Sequence, residues 1–280
     1  MTIKTLLMGG VGNQLFQLAR AVSIKLEGRD ATLIKVVFLK KYIYSIIGHP
    51  IQKQWIDIDR LAENLGIKVL PLSFNLTFKI FFLFLLKKFK FSFFFDTPLR
   101  DRLNSKILID IGYFQDPNHL NKNSLYYVLN EFSKTIPFKS LNRSKKEISF
   151  HIRGSDFFDD DKKIIFKRPN MKKIRRLIKY FLNIDYKINV ISDDSRIPDM
   201  LKIENDDISF INHSPLEDFL EISTSKILYP SQSTFCFWAY AIALKDHNCR
   251  LIEKNNWIFN NFLNKGYIYY EKIDYKYNEF

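Results

Sequence analysis

From Glu147 onward the chain alternates short apolar runs with amphipathic helical stretches, and that alternation restricts the available folds more than any other feature. "EISFHI" (147–152) reads as a strand and "RPNMKKIRRLIKYFL" (168–182) as a helix with Pro169 in its first turn. "KINVIS", "DISFI", "KILYP" and "RLIEK" read as further strands. Between them, "SPLEDFLEIS" reads as a helix, and so does "STFCFWAYAIALK", opened by Ser233 or Thr234 as N-cap. Strands that alternate with helices predict a parallel sheet wrapped by helices. The first half follows the same scheme less cleanly. "IKTLLM" (3–8), "ATLIKVVFL" and "KILIDIG" (106–112) read as strands, with helices over roughly Gln14 to Leu26 and near Asn123 to Ser133. The polar stretch Pro137 to Lys146 reads as a linker, so the expected domains are 1–140 and 141–280.

A chain of 280 residues that is 46% hydrophobic can bury one large core or two ordinary ones, and nothing in it argues for disorder. Its formal net charge of +13, from 43 Lys+Arg against 30 Asp+Glu, attracts polyanions such as anionic headgroups, phosphorylated substrates or nucleic acid. The same excess also arises by compositional drift towards Lys, Ile, Asn, Phe and Tyr. No helix-turn-helix, zinc-finger or RRM signature is present, so a nucleic-acid partner is not expected. Cys236 and Cys249 form no C-x-x-C pair, which excludes a disulfide framework and a zinc ribbon. "MTIKTLL" lacks the apolar core of a signal peptide, so a cytoplasmic setting is expected. The stretch Phe78 to Phe95 is aromatic but broken by Lys79, Lys87, Lys88 and Lys90. It is too short in its apolar run to span a bilayer, and reads either as a buried element or as a peripheral contact with anionic lipid.

Three polar loops follow successive predicted strands of the second half, at the edge where open α/β sheets hold ligands. "FHIRGSDFF" (150–158) offers His151, Arg153 and Asp156, and a guanidinium there can hold a diphosphate. "VISDDSR" (190–196) offers Asp193 and Asp194, which suit a base or ribose, or simply a helix N-terminus. "YPSQSTFCFWAYAIA" (229–243) places Ser233 and Thr234 where a helix dipole favours phosphate, or where an ordinary cap would sit. Near the start, "MGGVGNQLFQLAR" (8–20) resembles a dinucleotide turn, but Leu15 occupies the place of the third glycine. No G-x-S-x-G elbow, H-E-x-x-H pair or P-loop lysine motif is present, and the histidines do not cluster.

In content and order, "GGVGNQLFQLARA", "ILIDIGYFQD", "FHIRGSDF", "ISDD" and "SQSTFCFWA" resemble the motifs of bacterial α-1,2-fucosyltransferases, within the wider α-1,2/α-1,6/protein O-fucosyltransferase group. The resemblance implies an α/β, GT-B type fold, with two Rossmann-like domains facing a cleft and the donor held mainly by the C-terminal one. It implies inverting transfer of L-fucose from GDP-fucose without a metal or other cofactor. The acceptor would be a galactoside-like hydroxyl of a surface polysaccharide, and the basic charge and the Phe78 to Phe95 stretch would suit a lipid-linked form of it at the inner membrane face. By the same resemblance Arg153 would contact the β-phosphate, with His151 and Asp156 completing that motif. Asp193 or Asp194 would meet guanine or ribose, and Ser233, Thr234 and Phe235 phosphate and base. Gly10, Asn13 and Gln14 would reach the site from the other domain. The chain departs from the family at Gly154, where a second arginine is usual, and at Gln232, where asparagine is. A related enzyme with another nucleotide sugar, or a basic binding module without catalysis, therefore stays open beside the fucosyltransferase.

Overall fold

The computed structural model describes residues 2–35, 56–71, 99–104, 107–136, 146–154, 158, 169–253 and 257–267. Asp156, the Phe78 to Phe95 stretch and nearly all of the expected linker lie outside these residues. The chain divides into two compact units, Met1–Ile136 and Pro137–Phe280.

The first unit runs β1 (Thr2–Leu7), α1 (Val11–Leu26), β2 (Asp30–Lys35), α2 (Ile58–Asn64), β3 (Lys68–Pro71), β4 (Leu99–Asn104), β5 (Ile107–Ile111), a single 3-10 turn and α3 (Lys122–Thr135). Its sheet has the order β3-β2-β1-β5-β4. All pairings are parallel except that of β4 with β5. Helix α1 forms because Leu15, Phe16, Leu18, Ala19 and Val22 recur at helical spacing, and all five are buried. It starts at Val11, earlier than the apolar pattern suggests, so Gly12 and Asn13 join Gln14 in the helix and do not belong to the loop before it. Glycine in a first helical turn is a poor helix former, which is why the sequence places the start too late.

The second unit runs β6 (Glu147–His151), α4 (Met171–Leu182), β7 (Lys187–Ile191), α5 (Ile197–Leu201), β8 (Ile208–Ile211), α6 (Pro215–Ser223), β9 (Ile227–Tyr229), α7 (Thr234–His247), β10 (Arg250–Leu251) and α8 (Trp257–Asn264). The sheet order is β10-β9-β6-β7-β8, and every pairing is parallel. The chain thus builds outward from β6 through β7 to β8, then returns to the other side of β6 with β9 and β10, as a Rossmann fold does. Ile148 and Phe150 of β6 and Ile188 and Val190 of β7 pack with Ile174, Leu177, Ile178 and Phe181 of α4 in one buried cluster. Each such side chain contributes about 1.5–3 kcal/mol by leaving water. Pro169 lies before α4 rather than in its first turn; Asn170 is the N-cap and accepts from the Lys173 amide at 3.0 Å.

The α/β class and the two Rossmann-like sheets expected from the sequence are what the structure has. No helix among the described residues is long and apolar enough to cross a membrane.

Candidate functional site

In the second unit the strand order reverses between β6 and β9. Loops leaving the two carboxyl ends diverge at such a point and leave room for a ligand. The last residue of β6 is His151, and its Nδ1 lies 2.7 Å from the Ser231 Oγ on the loop after β9. The imidazole stands 6.0 Å from the Phe235 ring. Burial pushes its pKa down to about 4, opposed in part by the charge of Asp193 and assisted by that of Arg153. His151 is therefore uncharged at neutral pH. Arg153 follows this ring by two residues, and Asp193 lies on the loop after the adjoining strand β7. Helix α7 begins at this edge, with Ser233 as its cap: the hydroxyl accepts from the Cys236 amide at 3.0 Å. A helix of this length directs the positive end of its dipole at whatever occupies the edge.

The loops after β6 and β7 are tied together, for the Gly154 amide donates to Asp193 Oδ1 at 2.8 Å. The two neighbouring carboxylates do different things. Asp194 is buried and gripped by Arg196, Nε to Oδ1 at 2.9 Å and Nη2 to Oδ2 at 2.7 Å. Those hydrogen bonds hold its carboxyl below the usual carboxylate range. Asp193 is exposed. A side chain at 154 would meet a steric obstacle. A Cβ on Gly154 would stand well inside contact distance of the Asp194 Cβ, with Cγ 2.9 Å and Oδ2 2.8 Å away.

One acid of this edge went unread in the sequence. Asp218 lies in the first turn of α6, which is fixed by a capping box between Ser214 and Glu217. Its Oδ1 accepts from the His213 amide at 3.1 Å, and the residue is 7% exposed. Burial raises its pKa to about 6, with help from the charges of Asp193 and Glu217 and against the His213 amide and charge. The next residue, Phe219, meets the Phe235 ring edge-on at 5.3 Å. A pKa raised from 3.8 to about 6 means that the folded state binds more protons between those values, so stability falls as pH rises through this window. Asp218→Asn keeps the acceptor for His213 and removes the buried charge. Thermal melts should show it about 1–2 kcal/mol more stable than the wild type at pH 8, after allowance for solvent screening. The gain should vanish at pH 4; equal stability at pH 8 would show that the charged form is not penalised.

The first unit has its own reversal, between β1 and β5. Gly9 there has φ +78, a conformation that L side chains rarely adopt, so the turn favours glycine. Amide side chains stitch the two strand ends together. Gln14 Nε2 donates to the Gly9 carbonyl at 2.8 Å, and Gln17 accepts from the Met8 amide at 2.9 Å while donating to the Gly112 carbonyl at 3.0 Å. Gln115 Nε2 donates to Asn13 Oδ1 at 2.9 Å. Phe114 holds φ +52, an uncommon value for a bulky residue and one that concentrates at functional loops. Arg20 supports that loop from below, with its guanidinium carbon 5.8 Å from the Phe114 ring centre. It donates to Asp110 Oδ2 at 3.0 Å and to the His119 carbonyl at 2.8 Å.

The structure therefore gathers His151, Arg153, Asp193, Asp194, Ser233, Thr234 and Phe235 at one edge of the second unit, and Gly10, Asn13 and Gln14 at one edge of the first. The sequence did not reveal Ser231, Asp218 and Phe219, or the loop supports Gln17, Gln115 and Arg20. A repeated amide in "GNQLFQ" and the glutamine of "GYFQD" were the only hints of the last group. Among the described residues, no three His, Cys, Asp or Glu side chains are grouped as a metal site requires.

No protein-family model and no curated protein sequence matches the chain. Among solved structures it is similar to the NodZ α-1,6-fucosyltransferase soaked with GDP-fucose, at 12% identity over 91% of this chain and 94% of that one, with a TM-score of 0.45. It is also similar to the E. coli heptosyltransferase WaaC with ADP, at 8% identity over 90% and 86% of the two chains and a TM-score of 0.38. A third is the UDP-GlcNAc 2-epimerase of Methanocaldococcus jannaschii, at 13% identity over 98% and 89% of the chains, with a TM-score of 0.41.

Proposed function

We propose that the chain is an inverting, metal-independent glycosyltransferase whose second unit holds a nucleotide sugar, GDP-L-fucose by motif resemblance. The observation that supports it best is the joining of the loops after β6 and β9 through His151 and Ser231, beside Arg153, Asp193 and the start of α7. A guanidinium and the positive end of a helix are groups that hold a diphosphate. Asp218, next to the Phe219 that meets the Phe235 ring, and Asp193 supply carboxylates at this edge, suited to accept from the N1–H and 2-amino groups of guanine. Uracil and adenine lack that pair of adjacent donors.

In the proposed reaction an acceptor hydroxyl attacks the anomeric carbon on the face opposite the diphosphate. The carbon–oxygen bond to the β-phosphate breaks, and the diphosphate leaves with the electron pair. Arg153 and the α7 N-terminus stabilise the charge that grows on the leaving oxygen. The hydroxyl proton passes to a base, for which the acids of "DFFDDD" (156–161), Asp156 first, are the sequence-based choice. The N-terminal unit takes the acceptor side in this reading, while Gly10, Asn13 and Gln14 at the start of its first helix reach the donor. The acceptor is assigned as O2 of a galactoside in a surface polysaccharide, presented on lipid at the cytoplasmic face. The Phe78 to Phe95 stretch is the peripheral membrane contact.

A second donor stays in view because Gly154 removes a positive charge that the motif usually carries. Incubating the purified protein with a panel of GDP-, UDP- and dTDP-sugars in metal-free buffer separates the two. GDP-fucose turnover is expected; turnover confined to UDP- or dTDP-sugars would replace the donor, and none at all would sink the enzyme reading.

A further inference from the structure

We propose that Ser231 is a positioning residue that fixes His151 as its Nε2–H tautomer, so that the ring offers the bound nucleotide an uncharged N–H donor. The proposal rests on the nucleotide site described above, but its physical basis lies in the unliganded chain. His151 and Ser231 are distant in sequence and meet at 2.7 Å across the point where the strand order reverses. Both are buried, at 7% and 9% exposure. Ser231 holds Nδ1, which leaves Nε2 as the nitrogen for a ligand.

Which nitrogen carries the proton follows from the contact itself. An unprotonated imidazole nitrogen is a stronger acceptor than a hydroxyl oxygen, and 2.7 Å is a separation typical of a hydroxyl donor rather than of an N–H donor. The hydroxyl therefore donates to Nδ1, and the ring proton is left on Nε2. The opposite order would turn a bare lone pair of Nε2 towards the anionic ligand.

Long-range proton–nitrogen correlation spectra of protein labelled at histidine report which ring nitrogen is protonated. The wild type is expected to show His151 with the proton on Nε2 before any nucleotide is added. Ser231→Ala should shift the ring towards the Nδ1–H form and weaken GDP binding roughly tenfold, a typical cost of losing one aligned hydrogen bond to a charged group. Ser231→Thr should restore both. A wild-type ring protonated on Nδ1 overturns the proposal, and so does a Ser231→Ala protein with unchanged tautomer and unchanged GDP affinity. A wild type that shows the Nε2–H ring yet binds no nucleoside diphosphate overturns the function proposed above and leaves Ser231 as the tautomer-setting group alone.

Discussion

Arg153→Ala should lower turnover about a thousandfold, the scale on which losing one preorganised charge stabiliser acts. It should leave the melting temperature within about 2 °C of the wild type, as expected when the change is a few tenths of a kcal/mol. Arg153 sits just beyond β6, close enough to His151 to depress its pKa, and only half-buried, so the core does not depend on it. The charge it meets is greatest when the sugar–phosphate bond is breaking, so the loss should fall mainly on kcat and less on KM. Arg153→Lys should recover only part of the rate, because an ammonium cannot hold two phosphate oxygens in one plane. Full turnover by the alanine variant would remove the guanidinium from the chemistry.

The second large effect runs against the pattern of the motif that the sequence resembles. Gly154→Arg places an arginine where the resembling sequences carry one, yet it should not strengthen phosphate binding here. Its Cβ would overlap Asp194, whose carboxylate is held on Arg196 and cannot swing aside without breaking both hydrogen bonds. The β6 loop would have to move, and the Gly154 amide would leave Asp193. Overpacking at a buried, hydrogen-bonded loop costs about 3 kcal/mol or more, a large part of the 5–15 kcal/mol that holds a typical domain together. Urea unfolding should show that loss, with Gly154→Ala losing less in the same direction. A Gly154→Arg protein of wild-type stability with tighter GDP binding would contradict the geometry.

The two halves of the chain were unequally legible, for physical reasons. Strands β6, β7 and β9 lie between neighbours in a parallel sheet, and each carries apolar residues that are buried: Ile148 and Phe150, Ile188, Val190 and Ile191, and Ile227 and Leu228. Strand β4 is an edge strand with the sequence LRDRLN, and no apolar pattern marks it. The asparagine-rich helix WIFNNFLN resembles a loop by propensity and is placed by packing, with Phe259 and Phe262 at 5.5 and 5.0 Å from Phe237 of α7. At the site, His151, Arg153 and Asp193 were readable because they follow strand ends. Asp218 was not, because an acid in a first helical turn ordinarily serves the helix dipole, and only burial distinguishes this one. Nor could the sequence separate Asp193 from Asp194. What divides them is the arginine two residues on, which curls back onto the second carboxylate.

The most direct measurement is calorimetric titration of the full chain with GDP, UDP and ADP in metal-free buffer, repeated with Arg153→Ala. GDP should bind the wild type in preference to the other two and, at a hundred times its dissociation constant, raise the stability by about 2.7 kcal/mol. Free GDP carries the full charge of the leaving group, unlike the intact sugar nucleotide, so the arginine variant should lose most of that affinity. Absence of binding by any of the three, or GDP binding that Arg153→Ala leaves unchanged, would contradict a nucleotide-sugar site at the edge where β6 and β9 part.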